Sequence, residues 1–197
     1  MNKFDDDLYN FIIKPENFEP VFELSNRFND FKERLIINFW RKVVSYLEFN
    51  EPELKGWKYC IQEEVPQSGS MIYLYKDEYC SKITQEPASV LTTFYNEVSG
   101  GGKIILGVSF DRTLSKLNYE KVRKFAAQII KAGWKLSPPN IWTFPIYKYM
   151  DEDFNSYDSL RKILPSEEDY LAKEYADTLM STHIELYPLI EKFGIKF

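Results

Sequence analysis

The acids best placed to do chemistry in this chain are Glu63 and Glu64, which close one alternating apolar segment, and Asp111, which closes another. Carboxylates held at strand ends beside a lysine can bind Mg²⁺ and position a water for phosphodiester cleavage. A divergent Mg²⁺-dependent nuclease would therefore use Asp111 with Glu63 or Glu64. No carboxylate–lysine triplet falls on a single predicted strand, however, and turn chemistry at a strand end accounts better for Asp111. His183 is the only histidine. It has no Gly-x-Ser-x-Gly or reactive-cysteine context to serve as general base, and it lies between Leu179 and Leu186, where packing explains it. Ser99-Gly-Gly-Gly-Lys103 invites a phosphate-loop reading. These glycines precede a strand instead of opening a helix, so a hairpin turn is the better account. Cys60 and Cys80 have neither zinc spacing nor the number needed for a disulfide framework. No cofactor is expected.

A second kind of chemistry is the grip on a polyanion. Lys32, Arg34, Arg41 and Lys42 lie mostly off the apolar stripe of a long predicted helix, and would be the nucleic-acid contacts of an accessory domain. Trp40, Trp57, Trp134 and Trp142 could stack bases, although their periodic positions suit a core. The whole-chain balance opposes a broad basic face. There are 25 basic and 30 acidic residues, a net charge of −5.

The elements that must carry these groups follow from periodicity. Ile104, Leu106, Val108 and Phe110 alternate with Ile105, Gly107 and Ser109, which marks a central strand over Lys103–Asp111. Strands are also predicted over 57–64, 71–75 and 89–98, a meander of about four. A strand-like run over 141–149 is expected at an edge or bulge because of Pro145. Phe28, Phe31, Leu35, Ile36, Phe39, Trp40, Val43 and Leu47 recur at three and four, giving a helix from Ser25, capped by Ser25 or Asn26 and stopped at Asn50-Glu51-Pro52. A second helix spans 118–132, with Gly133 as its C′ residue, and residues 134–139 read as a linker. A short helix spans 156–164. Ser166-Glu-Glu-Asp169 launches a last helix with Leu171, Tyr175, Leu179, Leu186, Ile190 and Phe193 inward, and a break or kink near Pro188. Residues 1–24 form an acidic, aromatic arm. Phe4, Leu8, Phe11 and Ile12 suit a short helix, and 14–24 should be extended because of Pro15 and Pro20.

This order, a helix with Phe39-Trp40, a Trp57-led strand, Ile104-Ile-Leu-Gly-Val108, a helix, Trp142 with the aromatic run to Tyr149 and a terminal helix, resembles the region that follows the nuclease core in some bacterial proteins of the PD-(D/E)XK nuclease superfamily. The likeness spans about Phe28 to Phe193. That family's motif ends in Asp/Glu-x-Lys on a strand, and the only matches are Asp30-Phe31-Lys32, within a predicted helix, and Glu53-Leu54-Lys55, between Pro52 and Gly56. No catalytic residue carries over. The resemblance implies the accessory half standing alone.

The expectation is an arm (1–24) and a single α+β domain (25–197), with an antiparallel sheet of four to five strands packed against two long helices and one medium helix. Its leading function is that of a non-catalytic binding module with a protein partner, such as an inhibitor in bacterial or phage defence or counter-defence; the balance leans away from an enzyme, with the nucleic-acid-binding accessory and the divergent Mg²⁺-dependent nuclease as the alternatives. Self-association and nucleic-acid binding are the further partner classes. The opening Met1-Asn2-Lys3-Phe4 followed by three aspartates is not a signal peptide, and no apolar run nears the ~18 residues that span a bilayer. A cytoplasmic location without membrane contact follows.

Overall fold

The computed structural model describes residues 3–49, 57–62, 71–75, 91–97, 103–109, 119–130, 133–136, 146–165 and 169–192. The chain divides into two compact units, Met1–Leu35 and Ile36–Phe197. It combines helices with an antiparallel sheet.

In the first unit, α1 (Lys3–Ile12) is followed after Ile13-Lys14 by α2 (Pro15–Phe49), which runs on into the second unit. The expected extended stretch over 14–24 is thus helical, and α2 begins at Pro15 in place of Ser25. Pro15 occupies the first helical position, where its missing N–H costs nothing. The Lys14 carbonyl accepts from the amides of Asn17 and Phe18, both at 2.9 Å. Pro20 forgoes one bond in the second turn, and the helical run on either side tolerates that loss. The Asn17 side chain donates to the Phe11 carbonyl at 2.9 Å and so closes the end of α1.

The second unit holds a six-stranded sheet, β1 (Lys58–Gln62), β2 (Met71–Tyr75), β3 (Leu91–Glu97), β4 (Lys103–Ser109), β5 (Lys135–Leu136) and β6 (Ile146–Asp153), in the order β1-β2-β3-β4-β6-β5. Every neighbour is antiparallel. The strand count exceeds the four to five expected, because Lys135–Leu136 pairs with β6 where a linker was expected. A two-residue strand has no period to read, and its ladder alone defines it. β6 begins after Pro145 and lies inside the sheet, not at its edge. The expected stretch 141–145 falls outside the described residues, as do the turns at 66–70 and 99–102.

β4 is the central strand. Ile104, Leu106 and Val108 are fully buried, as are Ile72 and Leu74 on β2 and Ile146 on β6. The opposite face is also covered at Ile105 and Gly107, so β4 is buried on both sides rather than having one mixed face. Between β4 and β6 the register passes from Ile105↔Tyr149 to Lys103↔Asp153, so β6 spends extra residues there in a bulge.

Besides the later part of α2, the described helices of this unit are α3 (Tyr119–Ile129), α4 (Tyr157–Lys162) and α5 (Tyr170–Lys192). Gly133 ends the α3 region as expected, with φ +89° and its amide donating to the Ile130 carbonyl at 3.1 Å. Ile130 itself is exposed, unlike the expected stripe. Ser156 caps α4 by accepting from the Ser159 amide at 3.2 Å. Residues 166–168 of the expected capping box lie outside the described residues. α5 runs through Pro188 to Lys192 without a break, since the proline sits near the helix end, where one lost bond is tolerated.

Phe39 and Trp40 of α2 meet Phe154 and Tyr175. The Phe39 ring stands edge-on to Phe154 and to Tyr175, each at 5.4 Å between centroids, and Trp40 lies 5.8 Å from Tyr175. Trp40, Phe154 and Tyr175 are almost wholly buried. Trp40→Ala should therefore lower the unfolding free energy by about 3–5 kcal/mol, read by urea denaturation. Phe49→Ala, at a side chain 86% exposed, should change it by less than about 0.5 kcal/mol.

Candidate functional site

Among the groups singled out by sequence, Glu63, Glu64 and Asp111 lie outside the described residues. No group of three or more metal-binding side chains is found among the described residues. Asp30-Phe31-Lys32 lies on α2, as expected from its period, and not on a strand. The four basic residues of α2 divide between the units, Lys32 and Arg34 in the first and Arg41 and Lys42 in the second. The Lys42 ammonium is engaged by Asp169, Nζ to Oδ1 at 2.6 Å. Trp40, Trp57 and Trp134 are buried, so they belong to the core and offer no open stacking face; Trp142 lies outside the described residues. His183 is buried too, its ring 4.0 Å from Trp57 and 5.7 Å from Tyr187 between centroids, which is the packing role its flanking leucines suggest.

Sequence reasoning missed a charged cluster in the core. Glu152, on β6, is only 7% exposed. One carboxylate oxygen accepts from the Tyr175 hydroxyl at 2.7 Å, and the other accepts from the Lys162 ammonium at 3.0 Å. Burial pushes the carboxyl toward the neutral form. The Tyr175 and Lys162 hydrogen bonds and the lysine charge outweigh this and hold its pKa below the usual carboxylate value. Burial, together with the adjacent carboxylate, pushes the Tyr175 phenol far above its ordinary value. At the end of β6, Ser159 Oγ accepts from the Asp153 amide at 2.9 Å, and Asp153 Oδ1 accepts from the Asn155 amide at 2.8 Å. The local signal was the capping serine alone, because the acid and its partners are far apart in the chain.

Exposed side chains of two further kinds are found among the described residues. In the first unit Leu8, Tyr9, Phe11, Ile13, Phe18, Phe22, Leu24, Phe28 and Phe31 are each 46–65% exposed. Phe18 and Phe22 stack one turn apart, centroids 6.2 Å. Together these side chains expose apolar area on the order of several hundred Å², the scale of an interaction surface. In the second unit Lys103 and Lys135 both approach the ring of Tyr149, at 5.4 and 5.3 Å to its centroid.

Comparison with protein-family models, with curated proteins and with solved structures finds no match. Among the described residues no helix is long and apolar enough to cross a membrane.

The Glu152 cluster sets a pH dependence. A carboxyl whose pKa is lowered by folding contributes stability that is fully present above the unfolded-state value, about 4.3, and is lost as pH falls through the folded value. Tyr175→Phe should cost about 1–3 kcal/mol at pH 7. Its deficit relative to the parent chain should shrink as pH falls through the lowered folded-state value of Glu152, measured by urea midpoints from neutral pH into the acid range.

Proposed function

We propose that the chain is a non-catalytic binding module that engages a protein partner through the exposed apolar side chains of its first unit. The observation that carries this reading is the run of half-exposed large apolar residues over Leu8–Phe31. Water penalises such a surface, and a protein groove relieves the penalty. The mode is an amphipathic helix laid into an apolar groove. Phe18 and Phe22 are its anchors, since aromatic side chains carry much of the energy at interfaces. Glu16, Glu19 and Glu23 recur at three and four on the other side of α2, all exposed. A groove with a basic rim complements them. The carboxylate–phenol–ammonium cluster supports the non-catalytic side of this reading, because its acid is held ionised and its phenol held protonated. The sequence likeness to an accessory region of nuclease-superfamily proteins agrees with a role as adaptor or inhibitor.

The test is size-exclusion chromatography with light scattering, on the pure chain and on the chain mixed with host lysate, followed by mass spectrometry of any new peak. The expected result is one defined complex. The double variant Phe18→Asp/Phe22→Asp should lose it by about 100-fold or more, two anchors of at least ~1.4 kcal/mol each, while its circular dichroism stays unchanged because both positions are exposed. A complex that survives this double variant, or a chain that stays monomeric in every lysate, sinks the proposal.

A further inference from the structure

We infer that the first unit docks onto the first unit of a second copy of this chain, α1 of each copy lying on the Leu24–Phe31 face of the other copy's α2. The inference rests on the same exposed apolar unit as the partner reading and takes a different face of it. At about 100° per residue, Leu24, Phe28 and Phe31 fall on one side of α2, about 120° round from Phe18 and Phe22. Val21, Leu24, Phe28, Phe31 and Leu35 are spaced three and four apart, the pattern of a seam along which helices pack. Leu24 is 65%, Phe28 48% and Phe31 55% exposed, whereas Phe39, Trp40, Val43 and Leu47 further along the same helix are buried. The later part of α2 has its cover within the chain, and the seam from Leu24 to Phe31 stands half in water.

The chain's own α1 is too short to supply that cover. Its ten residues span about 15 Å, and only Ile13 and Lys14 join it to α2. Phe28 and Phe31 lie about 20 and 24 Å along α2 from Pro15, so α1 folded back from that joint ends short of both. The α1 of a second copy is not held by this joint, and its chemistry matches. Leu8 and Phe11, one turn apart, are 46% and 52% exposed, beside the exposed Asp7. The helix carries three aspartates against one lysine. The Leu24–Phe31 face is flanked within a quarter-turn by Arg27, Lys32 and Arg34, while Glu23, Asp30 and Glu33 lie further round α2. An acidic helix on a seam with basic flanks gains from charge as well as from burial. Two α2 seams laid on each other would instead set these bases against their own copies. A two-fold pair makes the α1–α2 contact twice. Leu8, Phe11, Leu24, Phe28 and Phe31 leave roughly 500 Å² of side chain in water in each chain. A pair thus buries about 1,000 Å² of it, to which the stems of the flanking bases add, on the scale of about 1,200 Å² at which stable pairs begin.

The experiment is sedimentation velocity of the pure full chain over a range of concentrations, where a monomer–dimer equilibrium is expected. Phe28→Asp/Phe31→Asp should weaken it by about 100-fold or more, because a two-fold pair loses each anchor twice. Arg27→Glu/Arg34→Glu should weaken it by at least about tenfold. Adding Asp6→Lys/Asp7→Lys to that chain should restore most of the loss, a rescue that neither misfolding nor an α2–α2 contact would show. Phe18→Asp/Phe22→Asp, on the other face, should dimerise normally. A chain that stays monomeric at every concentration overturns the inference, as does a dimer that survives Phe28→Asp/Phe31→Asp or a charge reversal without rescue. A pure chain that is monomeric and still forms the lysate complex overturns this inference alone. A dimer that takes up nothing from the lysate supports it and sinks only the reading of a different protein partner.

Discussion

A single ionised carboxylate at the edge of an aromatic core constrains the second unit more than any other group. An uncompensated buried charge is costly, and only close partners make Glu152 tolerable there. Tyr175 supplies one hydrogen bond from α5 and Lys162 supplies the other from α4. Each requirement fixes geometry. The phenol can reach Glu152 only if α5 presents residue 175 toward β6, and that rotation also brings Tyr175 against Phe39 and Trp40. The lysine can reach it only if α4 starts close to the end of β6, which the Ser156 cap and the Ser159–Asp153 hydrogen bond secure. The polar cluster thus specifies how α4 and α5 sit on the strand, and the aromatic contacts supply the burial energy.

That arrangement leaves the second unit's apolar residues well used. Along α2, Ile36, Phe39, Trp40, Val43 and Leu47 are all buried. The first unit follows the opposite rule, with large apolar side chains repeatedly left half in water. Scattered exposed leucines need no explanation, but aromatic residues concentrated in one small unit do. A short helical unit has too little interior to bury them by itself.

Much of the second unit was legible because its elements have strong periods. The stripe from Ile36 to Leu47 and the alternation Ile104–Val108 identify their elements from local sequence alone. Gly133 and Ser156 mark ends because glycine tolerates positive φ and serine satisfies helix amides. The features that escaped are tertiary or statistical exceptions. β5 exists only through its pairing with β6. Pro15 and Pro20 bias against helix, yet the first helical position needs no amide and one missing bond does not end a 35-residue helix. Glu152, Lys162 and Tyr175 have no shared local pattern, and neither do Lys103, Lys135 and Tyr149. Each trio is assembled by strand register or helix packing, which spacing along the chain does not encode. The basic residues of the first long helix were legible as charges, but Lys42 shows why charge alone is a poor guide: its partner, Asp169, is distant in sequence.

The same cluster that organises the core also argues against a reaction there. A general acid or base works when its pKa lies near the operating pH. Burial alone would have raised Glu152 toward that range, as it does for acids in apolar pockets. Here the two donors reverse the shift and hold the carboxylate ionised, which deprives it of a proton to give. The phenol is driven the other way, so Tyr175 has a proton it cannot release near neutrality. Opposed shifts within one hydrogen-bonded pair can mark an acid–base couple, but in this pair both shifts move away from neutral pH. Each group is stabilised in the state in which it hydrogen-bonds the other. That is the signature of a structural lock between β6 and α5.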